Sequence, residues 1–345
     1  MPIVLGPASG TALGLLLAAA SVGRAQEPPH VLPRVETSRV VLEARVIDAH
    51  GRPLPGLGPT DFRLEVDGRA RPLESAVWVT ESPNLPRRLP SQETGTPQVA
   101  ASPGRLVVLL FQKDFEGNRL HGLVRAIPLA KRLVAPFSPL DRVAVLTYDW
   151  HLRLHLDFTS DLDAVRRALD ESVLQRWPEP IAPGEEPSLA AHLNPREALR
   201  AATPEQALLA LGRALEPIPR AKTVLFFGWG LGQLSGGDTF FMHYSYDGAR
   251  AALDAAHTAV FCLDVTDASW HSLEVGLRIV AEDTGGDYFK VYENAAAALV
   301  RVAAALAGHY VLAFERPSGR SGEHRIHLAL AGRSGTVLTR TRYVD

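Results

Sequence analysis

Between residues 105 and 308, short apolar runs alternate with helical patterns, and this alternation restricts the chain more than any other feature. The runs are "LVVLLF" (106–111), "RVAVLTYD" (142–149), "LRLHLDF" (152–158), "TVLFFG" (223–228), "AVFCLDV" (259–265) and "YFKV" (288–291). Helical spacing of apolar residues fills 120–134, 162–174, 204–215, 246–256, 272–283 and 294–306. A run of four to eight apolar residues between turn signals is a strand covered on both faces. Strands separated by helices form a mostly parallel sheet with helices on each side. "TYDWHLRLHL" leaves too little chain for a crossover, so its two strands pair as a hairpin and place one antiparallel strand at the sheet edge. Thr203, Pro204, Glu205 and Gln206 make a helix start, with Thr as N-cap and Pro in the first turn. Thr284, Gly285 and Gly286 make a stop.

The flanks read as β structure. Over 38–80, Val40, Leu42, Ala44 and Val46 alternate with Glu43 and Arg45, and "DFRLEVDGRARPL" is a hairpin signal with Asp67-Gly68 at its turn. Residues 81–104 are rich in Pro and polar residues without period, a linker composition. Over 309–345 three alternating strands return, "YVLAFERP", "EHRIHLAL" and "GTVLTRTRYV". Neither flank has enough strands to bury a core alone, so the two are expected to pack together as one small β module. Residues 175–202 hold several prolines and read as an insertion with no legible shape.

The 345 residues carry 36 basic and 38 acidic side chains, a formal charge of −2 with no basic block or stripe, which argues against nucleic acid as a partner. The one cysteine, Cys262, lies within an apolar run and reads as a small buried hydrophobe. "TALGLLLAAASV" (11–22), followed by Gly23 and Ala25, has the length of a signal peptide and is short for a membrane span. Residues 1–25 are therefore expected to be a signal segment cleaved after Ala25, leaving no membrane span and an extracytoplasmic protein, periplasmic or secreted.

The candidate site follows the first central strand, in "VVLLFQKDFEGNR" (107–119). The loop at the carboxyl end of a central strand is where open α/β sheets usually bind ligands. Here it carries Gln112, Lys113, Asp114, Glu116 and Asn118. "GWGLGQLSGGD" (228–238) lacks the phosphate-loop pattern and is not framed as a nucleophile elbow, which leaves a glycine-rich loop on the same edge. Trp229, Phe240, Phe241, Tyr244 and Tyr246 enrich that stretch in aromatics, a composition suited to protein contacts. No His-Glu-x-x-His or Cys-x-x-Cys pattern marks a zinc site. Asp264 and Asp267 face the edge without obvious partners.

The order of parts resembles a von Willebrand factor A domain. More narrowly, the chain is similar to the VWFA-related proteins of acidobacterial type. The resemblance rests on "VVLEARVIDAHGRPLPGLGPTDFRLEVDGRARPLES", "PLDRVAVLTYD", "LRIVAEDTGGDYF" and the closing "HYVLAFE", "HRIHLAL" and "RTRYV", in that order over 38–345. It implies an α/β, Rossmann-like A domain over 105–308 beside the small β module. It also implies a metal-ion-dependent adhesion site, built from Asp-x-Ser-x-Ser after the first strand, a Thr and a second Asp. Mg²⁺ takes about six hard oxygens, which those residues and a ligand's acidic group supply. Carried onto this sequence, the first Asp falls on Gln112, the two Ser positions on Asp114 and Glu116, and the later Asp on Trp229. For the Thr, Ser188 and Thr203 are the candidates. The implied site is thus degenerate.

The resulting expectation is an exported, non-enzymatic protein-binding protein without the standard metal site and with no cofactor. Its ligand-binding loops hold Gln112, Asp114, Glu116, Ser188 and Trp229, and its partner is another protein. One alternative is a divalent-cation-dependent binder using Asp114 and Glu116. The other is a hydrolase drawing its acids from Asp264, Asp114 or Glu116.

Overall fold

The computed structural model describes residues 39–81, 104–114, 117–174, 177–236, 239–317 and 321–344. The signal-segment expectation for 1–25, nearly all of the linker 81–104 and the candidate Glu116 lie outside these residues. The first flank forms β1 (Arg39–Ile47), β2 (Phe62–Val66), β3 (Arg69–Arg71) and β4 (Ser75–Thr80). The central region follows with β5 (Leu106–Gln112), α1 (Gly117–Val134), β6 (Arg142–Tyr148), β7 (Leu152–Thr159), α2 (Leu162–Ser172), α3 (Pro195–Leu199) and α4 (Pro204–Leu215). It continues through β8 (Lys222–Gly228), β9 (Gln233–Leu234), β10 (Phe240–Phe241), α5 (Tyr246–Ala255), β11 (Thr258–Asp264), α6 (Glu274–Thr284), β12 (Tyr288–Lys290) and α7 (Val291–Ala305). The second flank is β13 (Gly308–Glu315), β14 (Glu323–Leu330), β15 (Thr336–Thr339) and β16 (Arg342–Val344).

The central sheet runs β12-β11-β8-β5-β6-β7, all neighbours parallel except the antiparallel β6–β7 hairpin. This is the Rossmann-like, A-type arrangement that the resemblance implies. Alternation along β5 explains its uninterrupted apolarity. Val107, Leu109 and Phe111 enter one core with α1, α2 and α7, while Leu106, Val108 and Leu110 enter another with α4 and α5. Phe111 stacks on Phe227 of β8 at 4.6 Å between ring centroids. Close packing also dictates a small residue in α1. A Cβ on Gly122 would lie 1.5 Å from the carbonyl oxygen of Val265, so only glycine lets the helix approach the end of β11.

The flanks do pack together. Sheet β15-β1-β13-β4 faces sheet β16-β14-β2-β3, and Leu42, Leu64, Val66, Leu312, Phe314 and Leu328 fill the space between them. At its centre Tyr310 meets Phe62 and Trp78 edge-on at 5.3 and 4.9 Å. Its hydroxyl donates to Leu54 O and accepts from Leu57 N, both at 2.8 Å, so a fully buried polar atom is satisfied. The Asp67-Gly68 turn has both residues at positive φ, 51° and 73°, as a two-residue hairpin requires.

One expectation needs correcting in detail. "GTVLTRTRYV" is not one strand: β15 pairs with β1, and β16 pairs with β14 in the opposite sheet. The crossing falls at Arg340 and Thr341, which turn outward to Asp254 and Asp283 of the α/β region. The Pro-rich insertion is also ordered by an anchor outside itself. Asp157 on β7 accepts hydrogen bonds from Ser188 Oγ at 2.6 Å, Leu189 N at 2.7 Å and Ala190 N at 3.2 Å.

At the amino end of the sheet, Asp141 is 1% exposed and accepts from Arg105 N, Nε and Nη2 at 2.8, 2.9 and 2.6 Å, and from Ser138 N at 2.6 Å. Burial pushes its carboxyl up, but these donors outweigh burial and hold it below the usual carboxylate range. Asp141→Ala, which strands the Arg105 guanidinium, is expected to cost about 3–5 kcal/mol in urea denaturation.

Candidate functional site

The carboxyl ends of β5, β6, β8, β11 and β12 form one rim, and Gln112 lies at its centre. The residue is 1% exposed. Its Oε1 accepts from Trp229 N at 3.0 Å and Gly230 N at 3.2 Å, and its Nε2 donates to Gly230 O at 2.9 Å. An amide is the side chain that can both give and take here; a carboxylate would leave Gly230 O facing another acceptor. Gly228 makes room for this clamp, since a Cβ there would come 2.9 Å from Gln112 Oε1. The Gln112 side-chain amide is therefore engaged with the β8 loop at both its oxygen and its nitrogen.

Lys113 continues the strand, its N–H donating to Tyr148 O at 2.8 Å. Its buried side chain reaches Leu174 O at 2.5 Å and lies 3.8 Å from Asp149. Burial lowers the ammonium's pKa, with Asp149 opposing the shift and Arg153 adding to it. Asp114 pairs with Arg119 at 2.5 Å, and the Arg119 guanidinium lies 3.8 Å from the centre of the Trp229 ring. Asp114 and Trp229 thus come together through Arg119, while Gln112 meets Trp229 at its backbone N–H. A guanidinium, always charged and matched to both carboxylate and aromatic face, supplies positive charge at this loop.

Ser188 is not brought to this rim. It lies with Asp157, level with the middle of β6, where its hydroxyl is spent on that carboxylate. Thr203 is nearer in function to the edge: its Oγ1 caps α4 by accepting from Gln206 N at 3.3 Å. The first turn of the same helix presents Glu205, 1% exposed, whose Oε1 accepts from Gly232 N at 2.6 Å. Helix start and glycine-rich loop are joined there, with the acid at the favourable end of the helix dipole.

Asp264, expected to lack partners, has three. Its Oδ1 accepts from Thr266 N at 2.9 Å, and its Oδ2 lies 2.8 Å from His271 Nε2 and accepts from Tyr288 OH at 2.7 Å. Burial, the hydrogen bond to Asp264 and that carboxylate's charge all push the Tyr288 phenol upward, so it stays a donor. Beside them Glu274, 5% exposed, sits 2.8 Å from Lys290 Nζ and 3.1 Å from Arg278 Nη2. Burial raises the Glu274 pKa, but Lys290 and Arg278 outweigh it and lower the carboxyl overall. Among the described residues Asp264, His271 and Glu274 are the group whose spacing could hold a metal ion, with one ligand atom each within 4.8 Å of the others. Asp267, the other acid thought unpartnered, pairs with Arg125 at 2.5 Å. The sequence signal for the cluster was only a histidine and a glutamate seven and ten positions after Asp264; Tyr288 and Lys290 come from the next strand.

No family model matches the chain, and no curated protein matches it. Solved structures do. A von Willebrand factor type A protein from Catenulispora acidiphila is 11% identical, with a TM-score of 0.42, over 84% of this chain and 75% of that one. The three N-terminal domains of the type V pili tip protein Mfa5 from Porphyromonas gingivalis are 10% identical, TM-score 0.40, over 89% and 66%. An aerotolerance-related membrane protein from Bacteroides fragilis, carrying multiple mutations to serine, is 13% identical, TM-score 0.38, over 59% and 98%. At such identities and TM-scores these likenesses assign no role to any residue of this chain. No helix among the described residues is long and apolar enough to cross a membrane.

Gln112→Glu is expected to lower stability by about 1–3 kcal/mol at neutral pH, as Gly230 O loses its donor. Part of the loss returns on acidification, once the carboxyl carries a proton, and pH-resolved denaturation reads both effects. His155 supplies a second pH signature. Burial first, then Lys113 and Arg153, lowers its pKa from 6.5 to about 4, and its Nε2 lies 2.8 Å from Thr147 Oγ1. The unfolded chain therefore binds the extra proton between pH 6.5 and about 4, so stability falls across that window on acidification. The full loss is roughly 3 kcal/mol at most, and His155→Gln should flatten this part of the profile.

Proposed function

We propose that this protein is an exported, non-enzymatic binding protein that engages another protein through the carboxyl rim of its central sheet, with no metal in the Gln112 loop. The observation that carries the reading is where large aromatic side chains are left exposed. Among the described residues these are Trp150, Trp177, Phe241, Tyr244, Trp270 and Tyr292, with Trp150 73% and Tyr244 83% accessible. Trp150 lies at the tip of the β6–β7 hairpin, and Trp177 packs against Arg153 and His151 of the same hairpin. Phe241 and Tyr244 follow β8, Trp270 follows β11 and Tyr292 follows β12. Each thus lies in, or packs on, a segment that follows a strand of the central sheet. Exposed tryptophan and tyrosine gathered on one face suit a partner surface, where such residues carry most of the binding energy.

The chemistry of the loop supports a metal-free site. Gln112 is taken up by the β8 loop, and Asp114 is paired with Arg119. The acids a hydrolase would draw on, Asp264 and Asp114, are likewise held by partners.

Affinity capture from the envelope and secreted fractions of the source cells, with the full chain as bait, tests the reading. A captured protein should bind at least about 2 kcal/mol more weakly when Trp150 or Trp270 is replaced by alanine. Capture indifferent to both substitutions would sink the assignment to the rim. Saturable Mg²⁺ binding that Asp114→Ala abolishes would sink its metal-free part, and turnover on an esterase, phosphatase or glycosidase panel would sink the non-enzymatic part.

A further inference from the structure

We propose that Asp264, His271 and Glu274 form a binding site for a single Zn²⁺-class ion, competing with the Lys290 ammonium for the same carboxylate. The site is separate from the Gln112 loop. Its donor set is one imidazole nitrogen and two carboxylate oxygens, within 4.8 Å of one another, on residues that are buried or nearly so. Zn²⁺ binds such atoms at about 2.0–2.2 Å, commonly with three protein ligands and one open position. Imidazole in the set favours a transition metal over Mg²⁺ or Ca²⁺, which take oxygen alone.

One buried oxygen beside the cluster is left without a hydrogen bond. Thr266, 6% exposed and tied to Asp264 through its N–H, has a buried hydroxyl with no partner. A buried hydroxyl without a partner is the exception in folded proteins, and a bound ion nearby is one explanation for it. Glu274 Oε2 is taken by the Lys290 ammonium at 2.8 Å, so this oxygen is open to an ion only by exchange.

The exchange balances. Zn²⁺ takes the lone pair of His271 Nε2, and the imidazole proton resides on Nδ1 instead. Asp264 and Glu274 bind as carboxylates. The Lys290 ammonium leaves Glu274 and keeps its contact with Ser269 O. Bound metal would tie the start of α6 to the end of β11 and fix the loop between them, which carries Trp270.

The test is titration of Zn²⁺ and Co²⁺ into the chelator-treated full chain, followed by calorimetry and by the visible Co²⁺ spectrum. One ion should bind, with a cobalt band that reports nitrogen and oxygen ligation. His271→Ala should weaken binding by more than about 100-fold, beyond the usual cost of losing an outer-shell partner. Lys290→Met should tighten it, because the competing cation is gone; a merely structural ion pair predicts no such gain. Thermal melts of each variant separate lost ligation from lost folding, and Glu274→Gln gives a second ligand variant of the same size. Absence of saturable binding in both the native chain and Lys290→Met would overturn the proposal. So would a native-like affinity in His271→Ala, which would assign the ion to one of the other histidines.

Discussion

The side-chain amide of Gln112 sits in a water-excluded position between β5 and the loop after β8, and the geometry of the rim depends on it. Two backbone N–H groups and one carbonyl of Trp229 and Gly230 point into that space, and only a group that donates and accepts satisfies all three. The clamp holds Trp229 where Arg119 can cover it, and Arg119 in turn engages Asp114. Two residues on, Gly232 meets Glu205 at the head of α4. A chain of short polar contacts thus connects β5, β8, α1 and α4 at one end of the sheet.

Positive charge along this end is supplied by the protein itself. Arg119 serves Asp114, Lys113 serves Asp149, and Lys290 serves Glu274. These cations do different work. Lys113 is wholly enclosed and donates to the carbonyl of Leu174, just after α2. Arg119 and Lys290 lie nearer solvent. Charged groups in such half-buried positions are worth more than surface pairs, because less water screens them.

Much of this fold was legible in the sequence, because its signals are local. Fully apolar runs identified β5, β8 and β11, and α4 begins at the Pro204 that the Thr203 cap implied. The reading of a helical pattern from Asn294 caught a real feature. Helix α7 is drawn from Val291, but Asn294 is non-helical and its side chain accepts from Ala297 N, so a fresh cap lies inside it. What stayed hidden depends on residues far apart. Nothing near Thr341 announces that the strand there changes sheets, since its partner Asp283 lies across a module boundary. Of the partners of Asp264, Tyr288 was invisible for the same reason, since it arrives from the neighbouring strand. Ser188 was drawn toward the rim by residue type alone, whereas Asp157 decides its place.

The pairing of β1 with β13 and β15 has a consequence for how the molecule is assembled. The hydrogen bond from Leu57 N–H to the Tyr310 hydroxyl spans 253 residues of chain, and the pairings of β1 with β13 and β15, of β4 with β13 and of β2 with β14 have similar reach. Closing so large a loop is entropically unfavourable until the intervening chain has become compact. The α/β sheet, in which the β5–β8 pairing is the one that spans a long stretch of chain, can condense first and bring the two flanks within reach. Its formation then acts as the jig on which the module is completed, and the module records that the chain has been finished from one flank to the other.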